Sequence, residues 1–213
     1  MIIILAAPRT GSTLLYQLIA NHFEVCYLNN FGGISNTDEV QVPYVSHYGK
    51  TEQWYEPSEA SSTHKMWFGN TDRWQAEKVH AKDIPDNLVI KNVWNVYRID
   101  EWVRLFPDVQ FIWMKRNRDD AVASDLETRK IKPHLNEAFA KLGGYNTSAM
   151  SEEEAAYFQY DMINAHIEVE LQGRDYLEIS YKDLIGDISM SLLYLKSYLN
   201  VKYRNRPTPI LEK

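Results

Sequence analysis

The opening stretch MIIILAAPRTGSTLLYQLIANHF leaves this chain few folds to choose from. Met1 to Ala6 is a short, β-branched apolar run, the composition of a parallel strand buried on both faces. Leu14, Leu15, Leu18 and Ile19 then recur at helical spacing. Pro8, Arg9, Thr10, Gly11, Ser12 and Thr13 lie between the two patterns, so the junction reads as strand, tight loop and helix. Such a junction aims the free N–H groups of the helix's first turn, at the positive end of its dipole, into the loop. An anion belongs there.

At 213 residues and 45% hydrophobic content, the chain can bury one good core, and a single domain over residues 1–213 is expected. The net charge of −6 argues against a nucleic-acid binder, which normally carries a basic face, so any anion site is local. Cys26 is the only cysteine, which rules out a disulfide framework or thiolate metal cluster and suits a reducing cytoplasm. Cys26 itself reads as a small core residue. The N-terminal apolar run is too short to span a bilayer or to form a signal-peptide core.

Further along, Val25 to Leu28 reads as a second strand. Residues 29–70 form a long irregular stretch whose Tyr44, Tyr48, Trp54, Tyr55 and Trp67 argue for a functional insertion, and it is the expected acceptor-binding wall. "NLVIKN" predicts a third strand, Tyr97 to Phe106 a helix, "DVQFIWMKR" a fourth strand, and Arg118 to Thr128 a helix. Residues 129–150 read as a mobile connection. Ser151, with Glu154 three residues on, marks a capping box opening a helix to Leu171. "DYLEIS" predicts a fifth strand and Ile188 to Leu199 a final helix. Alternating strands and helices imply a three-layer α/β/α architecture with a central parallel sheet, and ligands then sit at the strands' carboxyl ends.

Against the phosphate loop GxxxxGK[ST] of nucleotide triphosphatases, Ala6 to Thr13 supplies the second glycine as Gly11 and the hydroxyl as Thr13. Ser12 stands in place of the lysine, the cation sits earlier as Arg9, and strand four ends in Lys115 and Arg116 where a kinase would place an acid for magnesium. These features describe a metal-free site with cations for a doubly anionic ligand.

"PRTGSTLL" resembles the 5′-phosphosulfate loop of sulfotransferases that use 3′-phosphoadenosine 5′-phosphosulfate (PAPS). "FIWMKRNRDDAVAS" resembles their 3′-phosphate element, an arginine ending a strand and a serine eight residues later, here Arg116 and Ser124. "YLEISYKDL" resembles the family's later strand and turn, with Lys182 in place of the usual acid. The three elements occur in the family's order and span most of the chain. The resemblance implies a P-loop-like sulfotransferase fold, PAPS as donor, its desulfated bisphosphate (PAP) as product, no metal, and a small-molecule or glycan hydroxyl as acceptor. It places Arg9 on the oxygen bridging phosphate and sulfate, and the backbone N–H groups of Thr10, Gly11, Ser12, Thr13 and Leu14 around the 5′-phosphate. Arg116 and Ser124 would grip the 3′-phosphate, with Tyr181 near the adenine side.

The general base is the open point. Cytosolic relatives carry a histidine two residues after the strand-three lysine, and here Val93 occupies that place after Lys91. "YEPSEASSTHKMWF" resembles a stretch of some bacterial relatives that supplies a glutamate, which favours Glu56 or Glu59. Glu39, His47 and His64 are further candidates, as is no base at all. Lys91 is a candidate helper at the strand end. Near the C-terminus, Arg204 and Arg206 are candidates for the 3′-phosphate, against a frayed tail. The competing functions are a P-loop nucleotide kinase, which needs the missing lysine and a metal carboxylate, and a non-catalytic nucleotide-binding module.

Overall fold

The computed structural model describes residues 1–28, 34–36, 85–131 and 143–204. In chain order these form β1 (Ile2–Ala6), α1 (Ser12–His22), β2 (Cys26–Leu28), β3 (Ile34–Asn36), β4 (Leu88–Lys91) and a 3-10 turn (Val93–Arg98). There follow α2 (Ile99–Leu105), β5 (Gln110–Lys115), α3 (Arg118–Ile131), α4 (Glu152–Glu170), β6 (Tyr176–Ser180), α5 (Tyr181–Gly186) and α6 (Ile188–Tyr198).

The strands order as β3-β2-β4-β1-β5-β6. β2, β4, β1, β5 and β6 run parallel, and β3 adds an antiparallel edge to β2. β1 lies in the middle, with Ile2 to Ala6 paired to Gln110 to Met114 of β5 and Ile2 to Ile4 paired to Val89 to Lys91 of β4. That position explains its continuous apolar run, since every β1 side chain is buried.

The strand's two-residue alternation divides the core into two layers. Ile2, Ile4 and Ala6 face α1 and α6 through Leu15, Leu18, Ile19, Leu192 and Leu195. Ile3 and Leu5 face the opposite side through Val96, Ile99, Trp102, Ile163 and Ile167, from the 3-10 turn, α2 and α4. Burying each such side chain contributes about 1.5–3 kcal/mol. The result is the expected α/β/α sandwich.

Local signals account for most boundaries. The capping box forms as the sequence predicts: Ser151 Oγ accepts from the Glu154 N–H at 3.2 Å, and a Glu154 carboxylate oxygen accepts from the Ser151 N–H at 2.8 Å. The helix predicted from Tyr97 instead begins as a 3-10 turn at Val93, and its α-helical part starts at Ile99. Of the expected connection over residues 129–150, the two ends are described. α3 continues through Ile131, with Arg129 only 2% exposed, and the Tyr145 ring packs edge-on to Phe158 at 5.3 Å, while residues 132–142 lie outside the described residues.

Candidate active site

The loop between β1 and α1 is the hub. Gly11 is the N-cap of α1 with φ +92°, no side chain caps the helix, and no acidic residue stands in the first turn. The N–H groups of that turn therefore lack both an intrahelical acceptor and a neighbouring negative charge, which is what an anion site requires. Leu15 N–H makes the first intrahelical bond, to the Gly11 carbonyl at 3.1 Å. Thr10 is fully buried and its hydroxyl donates to the Ala7 carbonyl at 2.9 Å. Its side chain thus shapes the loop.

Gly11 has a reason to be glycine that spacing does not reveal. A Cβ there would lie 2.3 Å from Cδ2 and 2.7 Å from Cε2 of Tyr181, and its backbone is left-handed. Tyr181 is placed by the start of α5, where Ser180 is the N-cap and its hydroxyl accepts from the Asp183 N–H at 3.0 Å. The other side of the arrangement is Arg116, whose guanidinium carbon sits 4.6 Å from the Tyr181 ring centroid. Loop, phenol ring and guanidinium are thereby linked in series.

Arg116 also reaches the loop directly, its Nη1 donating to the Arg9 carbonyl at 3.0 Å. The Arg116 carbonyl accepts from the Tyr160 hydroxyl at 2.6 Å, which ties the end of β5 to α4. Arg116 Nε is buried and has no hydrogen-bond partner among the described residues. A buried charged donor left over in this way fits an anionic ligand. Arg9 completes the link: its Nε donates to Ser124 Oγ at 3.1 Å. On the β4 side, Lys91 is 5% exposed and its ammonium lies 3.4 Å from Thr13 Oγ1. Lys115, which the sequence groups with Arg116, instead pairs with Glu178 at 2.7 Å and lies 3.7 Å over the Trp113 ring.

Three cations from β1, β4 and β5 therefore meet around one helix start. Behind them, Asp125 accepts from Arg129 Nε at 2.6 Å while Arg129 Nη2 donates to Gln159 at 2.7 Å. Burial pushes the Asp125 carboxyl above its ordinary value, and the Arg129 and Arg9 charges oppose that rise.

The site residues read from the sequence are thus brought together: Arg9, Thr10, Gly11, Ser12, Thr13, Leu14, Arg116, Ser124 and Tyr181 all belong to or border this loop. Lys91 belongs with them more firmly than its sequence context indicates, because only the β1–β4 pairing brings it beside α1. Val93, in the place of the histidine, packs against the apolar core. The Arg204 N–H donates to the His22 carbonyl at 2.7 Å, which anchors it at the end of α1 away from Gly11. An eleven-residue helix separates those ends by about 16 Å. Glu39, His47, Glu56, Glu59, His64 and Arg206 lie outside the described residues.

Residues 2–205 match the model of the sulfotransferase family. The chain belongs to that family. Among solved structures, it is similar to the sulfotransferase STF9 from Mycobacterium avium, with 14% identity and a TM-score of 0.56 over 92% of this chain and 62% of that one. This likeness is one of fold, and the chain spans less than two thirds of the length of that sulfotransferase. No curated protein matches the sequence significantly. Among the described residues, no helix of this sulfotransferase family member is long and apolar enough to cross a membrane.

Proposed function

We propose that this sulfotransferase moves a sulfuryl group from PAPS to a hydroxyl of a sugar or small-molecule acceptor, in the cytoplasm and without a metal. The observation that carries the reading is the direct contact between the two halves of a bisphosphate site: Arg116 on the Arg9 carbonyl and Arg9 on Ser124. Residues resembling a 5′-phosphosulfate loop and a 3′-phosphate element thus share one small region.

The donor would supply an activated sulfuryl group whose bond to the 5′-phosphate breaks as the acceptor oxygen attacks. The α1 first turn holds the 5′-phosphate through backbone N–H groups, with the Ser12 and Thr13 hydroxyls alongside. Arg9 stabilises the charge that collects on the bridging oxygen, and Lys91, next to Thr13, adds a second positive charge. The fork of Arg116 and the hydroxyl of Ser124 suit the 3′-phosphate, and the Tyr181 ring suits the adenine side. The acceptor proton goes to Glu56 or Glu59.

Incubating the protein with radiolabelled PAPS and a panel of sugar and small-molecule alcohols tests the reading. Label should pass to an acceptor, and Arg9→Ala should slow that transfer by about a hundred-fold or more, the scale of removing one transition-state donor. Donor binding without transfer across the panel would favour a non-catalytic module. Unchanged transfer in Arg9→Ala would remove Arg9 from the chemistry.

A further inference from the structure

Arg116 and Ser124 touch Arg9 at two different places. The first takes the main-chain carbonyl through Nη1 at 3.0 Å, and the second accepts from the side-chain Nε at 3.1 Å. Arg9 needs such support: its φ is +63°, a left-handed backbone that non-glycine residues adopt at a cost and keep only when their surroundings hold them there. Gly11, two residues on, is also left-handed, so the loop departs twice from ordinary backbone within three residues.

Neither supporting residue is exhausted by these bonds. A hydroxyl has one hydrogen to donate and two lone pairs, so Ser124 can accept from Arg9 and still donate to an anion. A guanidinium has five N–H groups, and Arg116 Nε is buried without a partner among the described residues. The Tyr181 ring fixes the guanidinium plane from one side.

We propose that Arg116 and Ser124 are positioning residues for Arg9, so that occupancy of the 3′-phosphate site and the set of the 5′-phosphosulfate loop are energetically coupled. The inference rests on the function proposed above. An anion held by Arg116 and Ser124 immobilises the groups that clamp Arg9, so the loop loses less freedom when the other end of the ligand binds. The coupling is reciprocal: whatever the 3′ end contributes to binding at the 5′ end, the 5′ end returns.

Calorimetric titration of the full chain with half-ligands isolates this, and requires no acceptor. The probes are adenosine 5′-phosphosulfate, which has no 3′-phosphate, adenosine 3′-monophosphate, which has no 5′ group, and adenosine 3′,5′-bisphosphate. Arg116→Ala and Ser124→Ala should each weaken adenosine 5′-phosphosulfate by about ten-fold, the scale of one charged hydrogen bond. Arg9→Ala should weaken adenosine 3′-monophosphate to a similar degree. Arg116→Lys, which keeps the charge and loses the fork, should restore the 3′-monophosphate more than the 5′-phosphosulfate. Unfolding midpoints identify any variant that has lost its fold, in which case Ser124→Ala decides. If Arg116→Ala and Ser124→Ala weaken only the ligands that carry a 3′-phosphate, the coupling is overturned and the functional reading stands. If the wild-type protein prefers ATP with magnesium to the bisphosphate, both fall.

Discussion

Gly11 does two jobs at one atom. Its left-handed φ starts α1 with free N–H groups, and its missing side chain makes room for the Tyr181 ring. Gly11→Ala should cost more than about 1 kcal/mol, because the left-handed backbone alone costs an L-residue roughly that much and the ring must also move. Urea unfolding measures the loss. Removing the ring as well, in Gly11→Ala with Tyr181→Ala, should give less than the sum of the two single losses, since they share one contact. A fully additive pair would mean that ring and glycine do not compete for that space. The glycine and the arginine before it were legible in the sequence, as punctuation between a strand and a helix. The packing of Gly11 against Tyr181 was not, because 170 residues separate the partners and no local pattern encodes it.

The elements themselves were readable wherever burial imposes a period. β1 is apolar throughout because both its faces are covered, and α4 begins where Ser151 and Glu154 satisfy each other's orphan groups. β3 is not legible in the sequence, because three residues at a sheet edge carry too little pattern to distinguish a strand from a loop. The sequence marks α5 only as a turn, yet its first residue is Tyr181, so its cap sets the ring that contacts both Gly11 and Arg116. Ser180→Ala should therefore cost about 1 kcal/mol, the usual worth of a serine cap. It should also weaken binding of adenosine 3′,5′-bisphosphate, measured by calorimetry on the same samples. Lost stability with unchanged binding would separate the cap from the site.

Across the whole molecule, the order β2-β4-β1-β5-β6 is what gathers distant residues, since β1 lies between the strands that end in Lys91 and Lys115, just before Arg116. Sequence alone gave the alternation of strands and helices and the identity of the cations at strand ends, but not Lys91's place beside Thr13, which only this pairing creates. Behind the site, Arg129 of α3 pairs with Asp125 on the same helix and donates to Gln159 of α4, which ties the two helices together. Asp125 is held above its ordinary value of 3.8, chiefly by burial. A carboxyl raised on folding favours the folded state most below its unfolded value, and loses that advantage as pH rises through the folded one. Removing Arg129 leaves the carboxylate buried without its main counter-charge, so Arg129→Met should cost about 3–5 kcal/mol near neutral pH. The loss should shrink as pH falls toward the carboxylate range, followed by urea unfolding across pH. A loss independent of pH would point to packing rather than charge.

The central claim, a pocket built for two phosphoryl groups of one adenosine ligand, is tested most directly by calorimetric competition between adenosine 3′,5′-bisphosphate and ATP with magnesium on the wild-type protein. The account predicts that the bisphosphate binds more tightly, with no need for the metal, and that Arg116→Ala loses most of that preference. Tighter, magnesium-dependent binding of ATP would contradict it.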